Sequence, residues 1–591
     1  MAKKISNKKS KNYLPFLFFS SFATLAFLPN AMDAFSFPKA SVIILGAIWL
    51  LLSDFKLTAK PKVDLLSAVL ILFVFFLVLS AITSDYLWVS LFGVNGRSTG
   101  VLFYLSLVVI LWRALRFSFS KQEKIFEYFI WIGTLALLYG LIQFAKLDPL
   151  NWNLVYEGII GVFGNPNFMG AYSALVGVAS FSMIWQSNRS QNYKIWGLAL
   201  LAISVINIYA SKALQGLVSL LIGIAPIVIY LAFKKSKGLG RTSVVLASIG
   251  LITFVLGLFR IGPLTDLVYK QSLSFRGDFW RTAFNMIGDN PLLGVGFDRF
   301  GVNYRQYRDV PQVLRNGVDA YSDNAHNVYL QFAATAGIFL AIIYFLLNLY
   351  IIKRFFERIK VKDTNLFFYV SIFSIWIAIQ AQSLISVDTP AISFWGWLFA
   401  GFVCSKDNVK LQIKNEISFS KIIASVSTIA FSVLLVFQIN AQTEINTNFY
   451  IQLPNNDNKY ADAKAELLKR AESNEPFNAE WPILSANSLI QDKAYPQTVD
   501  AAKRAINLDP KDYRAWYFLA IAQEKLKDFD AAIFSRQQAY KLDPYNTSNL
   551  VELGRDYIVL GKVEEARKII DIIKRFAPNS SDLQIAKSEF N

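Results

Sequence analysis

A helix that crosses the hydrocarbon core of a bilayer needs about 20 apolar residues. This chain offers thirteen such runs, centred near residues 22, 45, 73, 106, 135, 177, 203, 224, 251, 340, 376, 397 and 430, the second and twelfth being the shortest. In lipid every backbone polar group must be satisfied internally, so the runs predict helices. With 54% hydrophobic residues, the 591-residue chain is too apolar for one soluble domain. The expected fold is all-α: a polytopic membrane bundle of twelve to thirteen spans over residues 1–440, followed by a smaller soluble part.

The connections between the runs alternate in charge. The start carries Lys3, Lys4, Lys8, Lys9 and Lys11. Every second connection is then basic: Lys56, Lys60 and Lys62; Arg116, Lys121 and Lys124; Arg189 and Lys194; Lys234, Lys235, Lys237 and Arg241; Lys353, Arg354, Arg358, Lys360 and Lys362; Lys406, Lys410 and Lys414. The intervening short connections, among them NAMDAFSF and VDTP, are nearly free of Lys and Arg. Lys and Arg mark the cytoplasmic side. The pattern therefore predicts a cytoplasmic N-terminus, with the long 261–325 loop and the C-terminal part outside the cytoplasmic membrane. The first run follows a basic start, as in a signal peptide, but NAMDA is a poor cleavage site and favours an uncleaved helix.

The net charge of +17 is accounted for by these loops, which leaves no case for a nucleic-acid partner. The spans themselves carry almost no charge, which argues against an ion-coupled carrier and moves attention to the outer surface. One histidine and one cysteine supply neither a disulfide framework nor a zinc ligand set, so neither metal nor cofactor is expected.

After residue 441 the composition becomes soluble and helical. Pro476, Pro510, Pro544 and Pro578 recur every 34 residues, two of them in NLDP and KLDP. Ala486, Ala520 and Gly554 share that register, as do Ala505 and Ala539. Small residues at fixed positions let paired helices approach closely, and proline ends each second helix. The pattern resembles the tetratricopeptide repeat, an α-solenoid of about three units over 476–591, with 441–475 as a linker. Such units either offer a concave surface to a peptide or protein partner, or cap the membrane part.

The 261–325 loop contains FRGDFWRTAFNMIGDNPLLGVGFDRF, read as an amphipathic helix on the membrane face followed by a turn. Its cations are Lys270 and six arginines (Arg276, Arg281, Arg299, Arg305, Arg308 and Arg315), against seven aspartates. Arginine offers a planar fork to phosphate or carboxylate. Most of these arginines read as surface pairs with aspartates, Arg276 with Asp278 among the options. Three other polar elements belong to the same side: GVNGRSTG with Arg97, GNPNFMGAYS, and the tight turn SKALQG with Lys212. The chain's one histidine, His326, lies in SDNAHN at the entry to the tenth run. It is either a helix-capping histidine or a functional one. Asn165, Asn167 and Asn327 read as turn and helix-entry residues. Arg97, Lys212, Arg276 and His326 can lie at one membrane depth, which suits an anionic, lipid-attached head group.

The many spans, the RGDFW…NPLLGVGFDRF loop and the AHNVYLQ entry together resemble the O-antigen ligase and polymerase superfamily. The resemblance covers about residues 10–405 and is most specific over 205–340. It implies transfer of a glycan from an undecaprenyl-diphosphate carrier to an acceptor outside the cytoplasmic membrane. The family's outer-loop histidine falls on His326, and its arginine at the start of the loop helix falls on Arg276. A further family arginine, in a Ser-Arg-Gly turn, meets Ser211-Lys212-Ala213 here. Lysine keeps the charge and loses the fork.

On this reading His326 is the general base for the acceptor hydroxyl, since an unperturbed imidazole pKa near 6.5 suits that work. Arg276 and Lys212 hold the diphosphate, with Arg97 as a fourth member. A single displacement would invert the sugar carbon. The acceptor is a glycan, a lipid or a protein, so ligase, polymerase and protein O-glycosyltransferase all stay open. A non-catalytic glycolipid scaffold or channel would not need His326.

Overall fold

In the computed structural model, the structure describes residues 14–53, 64–150, 152, 157–187, 189–258, 260–268, 271–405, 419–452 and 461–590. The N-terminal lysines, Lys56, Lys60, Lys62, Lys270, Lys406, Lys410 and Lys414 lie outside the described residues.

The fold is all-helical. Among the described residues a helix stands at each of the thirteen apolar runs. Nine are long and apolar enough to cross a membrane, from Leu65–Ile82 to Ile422–Thr447. Four are shorter: Phe16–Leu25, Ser36–Leu52, Val101–Ala114 and Pro390–Cys404. The first and fourth thus join the second and twelfth as short members. At 1.5 Å per residue, Val101–Ala114 spans only about 21 Å. The short helices sit among other helices rather than in lipid; every side chain of Pro390–Cys404 is buried. Lys237–Leu258 is the opposite case, with only 6% of its apolar window buried by the rest of the protein.

The helix Pro166–Ile184 lies at the centre, 83% buried, because its small residues admit close neighbours. Gly170 and Gly216 are in backbone contact: a Cβ on Gly216 would stand 2.7 Å from the Gly170 carbonyl oxygen. That approach clamps the SKALQG turn onto the start of the central helix.

The bundle sorts its connections by composition. Asp33 accepts from the backbone of Gly96 and the hydroxyl of Ser98, and its own N–H reaches Gln442 at 2.9 Å. Val94 N–H donates to Asp298 at 2.9 Å, Ile159 N–H to the Ala210 carbonyl, and Asn327 Nδ2 to the Leu384 carbonyl. These bonds gather the charge-poor connections at one end. At the other end Gln122 bonds Ser405, Arg358 bonds Asp363 and the Val403 carbonyl, and Arg189 pairs with Glu127.

One charge inside a span escaped the sequence reading. Lys39, in the first turn of the second helix and 2% exposed, donates to the carbonyls of Ala26, Phe35 and Val162. Three carbonyl dipoles replace its lost hydration, and the side chain fastens the first connection to the one before the central helix.

The thirteenth helix runs on as Phe419–Gln452 and packs against Ala461–Asn474, so much of the expected 441–475 linker is helical. Three antiparallel pairs follow, Glu480–Gln491 with Tyr495–Leu508, Tyr513–Lys525 with Phe529–Leu542, and Thr547–Val559 with Val563–Phe576; Ser581–Phe590 closes the stack. The repeated small residues lie where the helices meet: Ala486, Ala505 and Ala520 are fully buried, and a Cβ on Gly554 would stand 2.4 Å from the Phe590 ring.

Candidate functional site

The loop helix forms as Gln271–Asp289. Part of its apolar side faces inward. Ala283 and Met286 are fully buried against Phe300, Tyr304, Ala325 and Ala334, so the loop has its own small core. His326 stands differently from its expected place. A separate helix, Val328–Ala336, comes between it and the tenth span, Ile338–Lys360. The break is at Gly337, with φ +86, where a Cβ would lie 1.9 Å from the Leu292 carbonyl oxygen; only glycine fits.

The SDNAHN turn is tied by its own side chains. Ser322 Oγ donates to the Asn324 carbonyl, Asn324 Oδ1 accepts from His326 N–H at 2.9 Å, and Asn327 Oδ1 accepts from Leu330 N–H at 3.0 Å. His326 is thereby held at φ +51, a conformation that non-glycine residues adopt rarely and that accompanies functional positions. Its ring stacks on Phe279 of the loop helix, 5.4 Å between centroids. Burial, then the positive charges of Arg97 and Arg276, push its pKa down to about 4, while Asp323 pulls the other way. The imidazole is therefore neutral at pH 7, with a lone pair free to take a proton.

Arg97 reaches this point from the connection before the fourth span. Its Nε and Nη2 fork onto Asp323 at 2.8 and 3.0 Å. Asp323, three residues before His326, was not singled out in the sequence, although the SDNAHN stretch contains it. Asp298 was missed too. It is buried, sits at φ +57, accepts from Val94 N–H, and burial raises its pKa to about 6.

Arg276 does not pair with Asp278, which instead accepts from Arg315 and from Asn316 Nδ2 at 2.8 Å. Among the described residues Arg276 makes no ion pair; its Nη2 lies 3.5 Å from Gln215 Oε1. Gln215 in turn donates to the Asn167 carbonyl at 2.8 Å. The chain Asn167–Gln215–Arg276 links the central helix, the SKALQG turn and the loop helix. Partial burial lowers the Arg276 pKa by desolvation, and a guanidinium so placed favours an anionic ligand. Lys212, at φ +56, is exposed and pairs with Glu157 at 2.6 Å. The geometry thus brings together His326, Arg97 and Arg276, and leaves Lys212 on the rim.

Of the remaining loop arginines, Arg281 pairs with Asp309 and Arg315 with Asp278 within the loop as expected, whereas Arg299, Arg305 and Arg308 reach beyond it. Arg299 forks onto Asp509 with both bonds at 2.6 Å, the two side chains 3% and 4% exposed. Arg305 and Arg308 meet Asp543 at 3.1 and 3.0 Å, with Arg308 and Asp543 fully buried. Asp509 and Asp543 are the aspartates of NLDP and KLDP, so the repeat register itself grips the loop. The repeats also hold Tyr86, which accepts from Ala479 N–H at 2.6 Å and donates to the Phe477 carbonyl at 2.7 Å.

Among the described residues no group of three or more His, Cys, Asp or Glu is placed to hold a metal ion.

The segment that carries Lys212, Arg276 and His326 also carries a known signature. Residues 199–345 match the O-antigen ligase family. The match supports a membrane glycosyltransferase of the ligase or polymerase kind, and covers the loop and the spans that flank it. No curated protein matches the chain. Among solved structures, the chain is similar to the crystal structure of MamA protein at 16% identity, over 25% of this chain and 81% of that one, with a TM-score of 0.23. So low a score leaves the repeat region described by its own geometry alone.

Proposed function

We propose that this chain moves a glycan from an undecaprenyl-diphosphate carrier to an acceptor on the outer side of the cytoplasmic membrane. The observation that carries the reading is the meeting of His326, Arg97 and Arg276 at one end of the bundle, around the segment similar to O-antigen ligases. That end bears the charge-poor connections, which supports an outer location for it and the repeat domain and a cytoplasmic N-terminus.

In the proposed step the acceptor hydroxyl oxygen attacks the anomeric carbon of the donor sugar. The bond from that carbon to the diphosphate oxygen breaks, and its electron pair leaves with the diphosphate. The hydroxyl proton passes to the neutral imidazole of His326, and the sugar carbon inverts. Arg276 faces the growing charge on the leaving group with its fork unpaired by any carboxylate among the described residues, and Lys212 adds charge from the rim. Arriving diphosphate offsets the two arginine charges that hold His326 down, so the base strengthens when the donor is bound.

Replacing His326 with alanine tests the reading. In cells that make the lipid-linked glycan, the H326A chain should insert normally, accumulate the donor and form no transferred product. Normal transfer would sink the catalytic assignment.

A further inference from the structure

Behind the Arg97–Asp323 pair lies a cavity of about 470 Å³, within the size range of small-ligand sites. Its walls come from three parts of the chain. The outer connections give Trp88, Asp323 and their neighbours; the second and thirteenth helices give Phe37, Ile44 and Leu435; the repeat domain gives Asp512, Tyr513 and Arg514. The diphosphate site proposed above does not use it.

Its charges exclude a second phosphate site. Five carboxylates line it (Asp323, Glu475, Glu480, Asp509 and Asp512) against three arginines. Each arginine is already committed: Arg299 to Asp509, Arg305 to Asp543, and Arg514 to Glu480 and Asp512. No guanidinium is left for an anion, and the surplus of carboxylates repels one. The lining instead combines hydrogen-bonding carboxylates with aromatic faces: Tyr86, Trp88, Phe92, Tyr321 and Tyr513. A sugar presents both complements, hydroxyls around its rim and C–H faces above and below the ring. Two lining residues, each 3% exposed, also keep a buried polar atom without a partner among the described residues: Arg299 Nε and Gln438 Oε1. At the opposite wall Phe37, Ile44 and Leu435 bring apolar surface from two helices of the bundle.

We propose that this cavity binds the acceptor, as the neutral terminal sugar of a membrane-anchored glycan, and presents its hydroxyl to His326 past the Arg97–Asp323 pair. The proposal rests on the ligase reading. The repeat domain, which supplies Tyr513 and most of the carboxylates, is then a wall of the acceptor site.

The test uses the full chain in membranes that contain the cell's own lipid-linked glycan. Two quantities are read: binding of undecaprenyl diphosphate, and product formed. Trp88→Ala and Tyr513→Ala should bind undecaprenyl diphosphate as the parent does, and make about ten-fold less product, the loss typical of an aromatic anchor. Trp88→Phe and Tyr513→Phe, which keep a ring, should return to within about two-fold. Parental product from both alanine variants overturns the proposal, as does equal loss of diphosphate binding or product found on a polypeptide. The two readings fail separately. An active His326→Ala chain removes the ligase reading, whereas an inactive one beside fully active Trp88→Ala and Tyr513→Ala removes only the acceptor cavity.

Discussion

Replacing Arg299 with methionine keeps the length of the side chain and removes its charge, leaving Asp509 in a nearly dry interface. In the parent both oxygens of Asp509 accept from the Arg299 fork at 2.6 Å. The only other bond to them within the described contacts comes from Lys511 N–H at 3.2 Å. With both partners at most 4% exposed, the change strands a buried carboxylate. Breaking such a pair costs about 3–5 kcal/mol, which weakens docking of this unit on the loop by about 150- to 5,000-fold. Replacing both members, Arg299→Met with Asp509→Leu, leaves no stranded charge and should restore most of the loss. Hydrogen exchange of the full chain in detergent reads this directly, through the amides of residues 299–308 and 509–514. The single variant should exchange much faster there, and the double variant close to the parent. Parental protection in the single variant would refute the idea that the arginine–aspartate register holds the repeats to the loop.

Three further outcomes are expected. His326 is the chain's one histidine, so protein labelled in histidine alone reports one imidazole. Its pKa is lowered to about 4 from an ordinary 6.5, so its contribution to stability is complete above about 6.5 and is lost as pH falls toward 4. The imidazole should titrate near 4 without ligand and nearer 6.5 with undecaprenyl diphosphate bound; a ligand-free midpoint above 6 would contradict the site's electrostatics. Lys212→Ala should leave unfolding unchanged, because its partner Glu157 is exposed, yet should weaken undecaprenyl diphosphate binding; Lys212→Arg should keep it. Equal binding by both variants would remove Lys212 from the site. A reporter active only outside the cytoplasm, fused at the C-terminus, should be active; activity confined to the cytoplasmic form would invert the proposed orientation.

The sequence made the local features legible. Hydropathy marks an apolar helix residue by residue, so each of the thirteen runs has its helix, and the 34-residue register marked the repeat turns. What it could not supply was the far partner of each charge. Arg97 finds Asp323 226 residues away, and Arg299 finds Asp509 at a separation of 210. Nothing in the local pattern distinguishes Asp323 from the loop's other aspartates. Lys39 was lost for a related reason: its carbonyl partners come from turns that only the folded bundle brings together. The displacement of His326 from the tenth span had a visible signal, Gly337, but the need for glycine there arises from the Leu292 carbonyl, 45 residues earlier.

The repeat register and the loop meet at successive units. Each repeat unit presents one residue at its 34-residue position: Glu475, Asp509, Asp543 and then Ala577. On the loop, Arg299 precedes the helix Phe300–Tyr307 and Arg308 follows it, nine residues on, or about 13 Å at 1.5 Å per residue, with Arg305 between. Two acids one unit apart meet the two ends of this one short helix, Asp509 at Arg299 and Asp543 at Arg305 and Arg308. The register then changes chemistry at both sides together. At the next unit the acid is replaced by Ala577, and the loop offers Val310 and Val313, which pack with Ile573 and Phe576. One unit earlier, Glu475 pairs with no arginine among the described residues; it accepts from Trp481 Nε1 at 2.9 Å, and burial raises its pKa to about 7. Glu475 also lines the cavity, as Asp509 does. A single period thus yields an apolar seam at Ala577, charged clasps at Asp543 and Asp509, and at Glu475 an unclasped carboxyl that lines the cavity together with the Asp509 clasp.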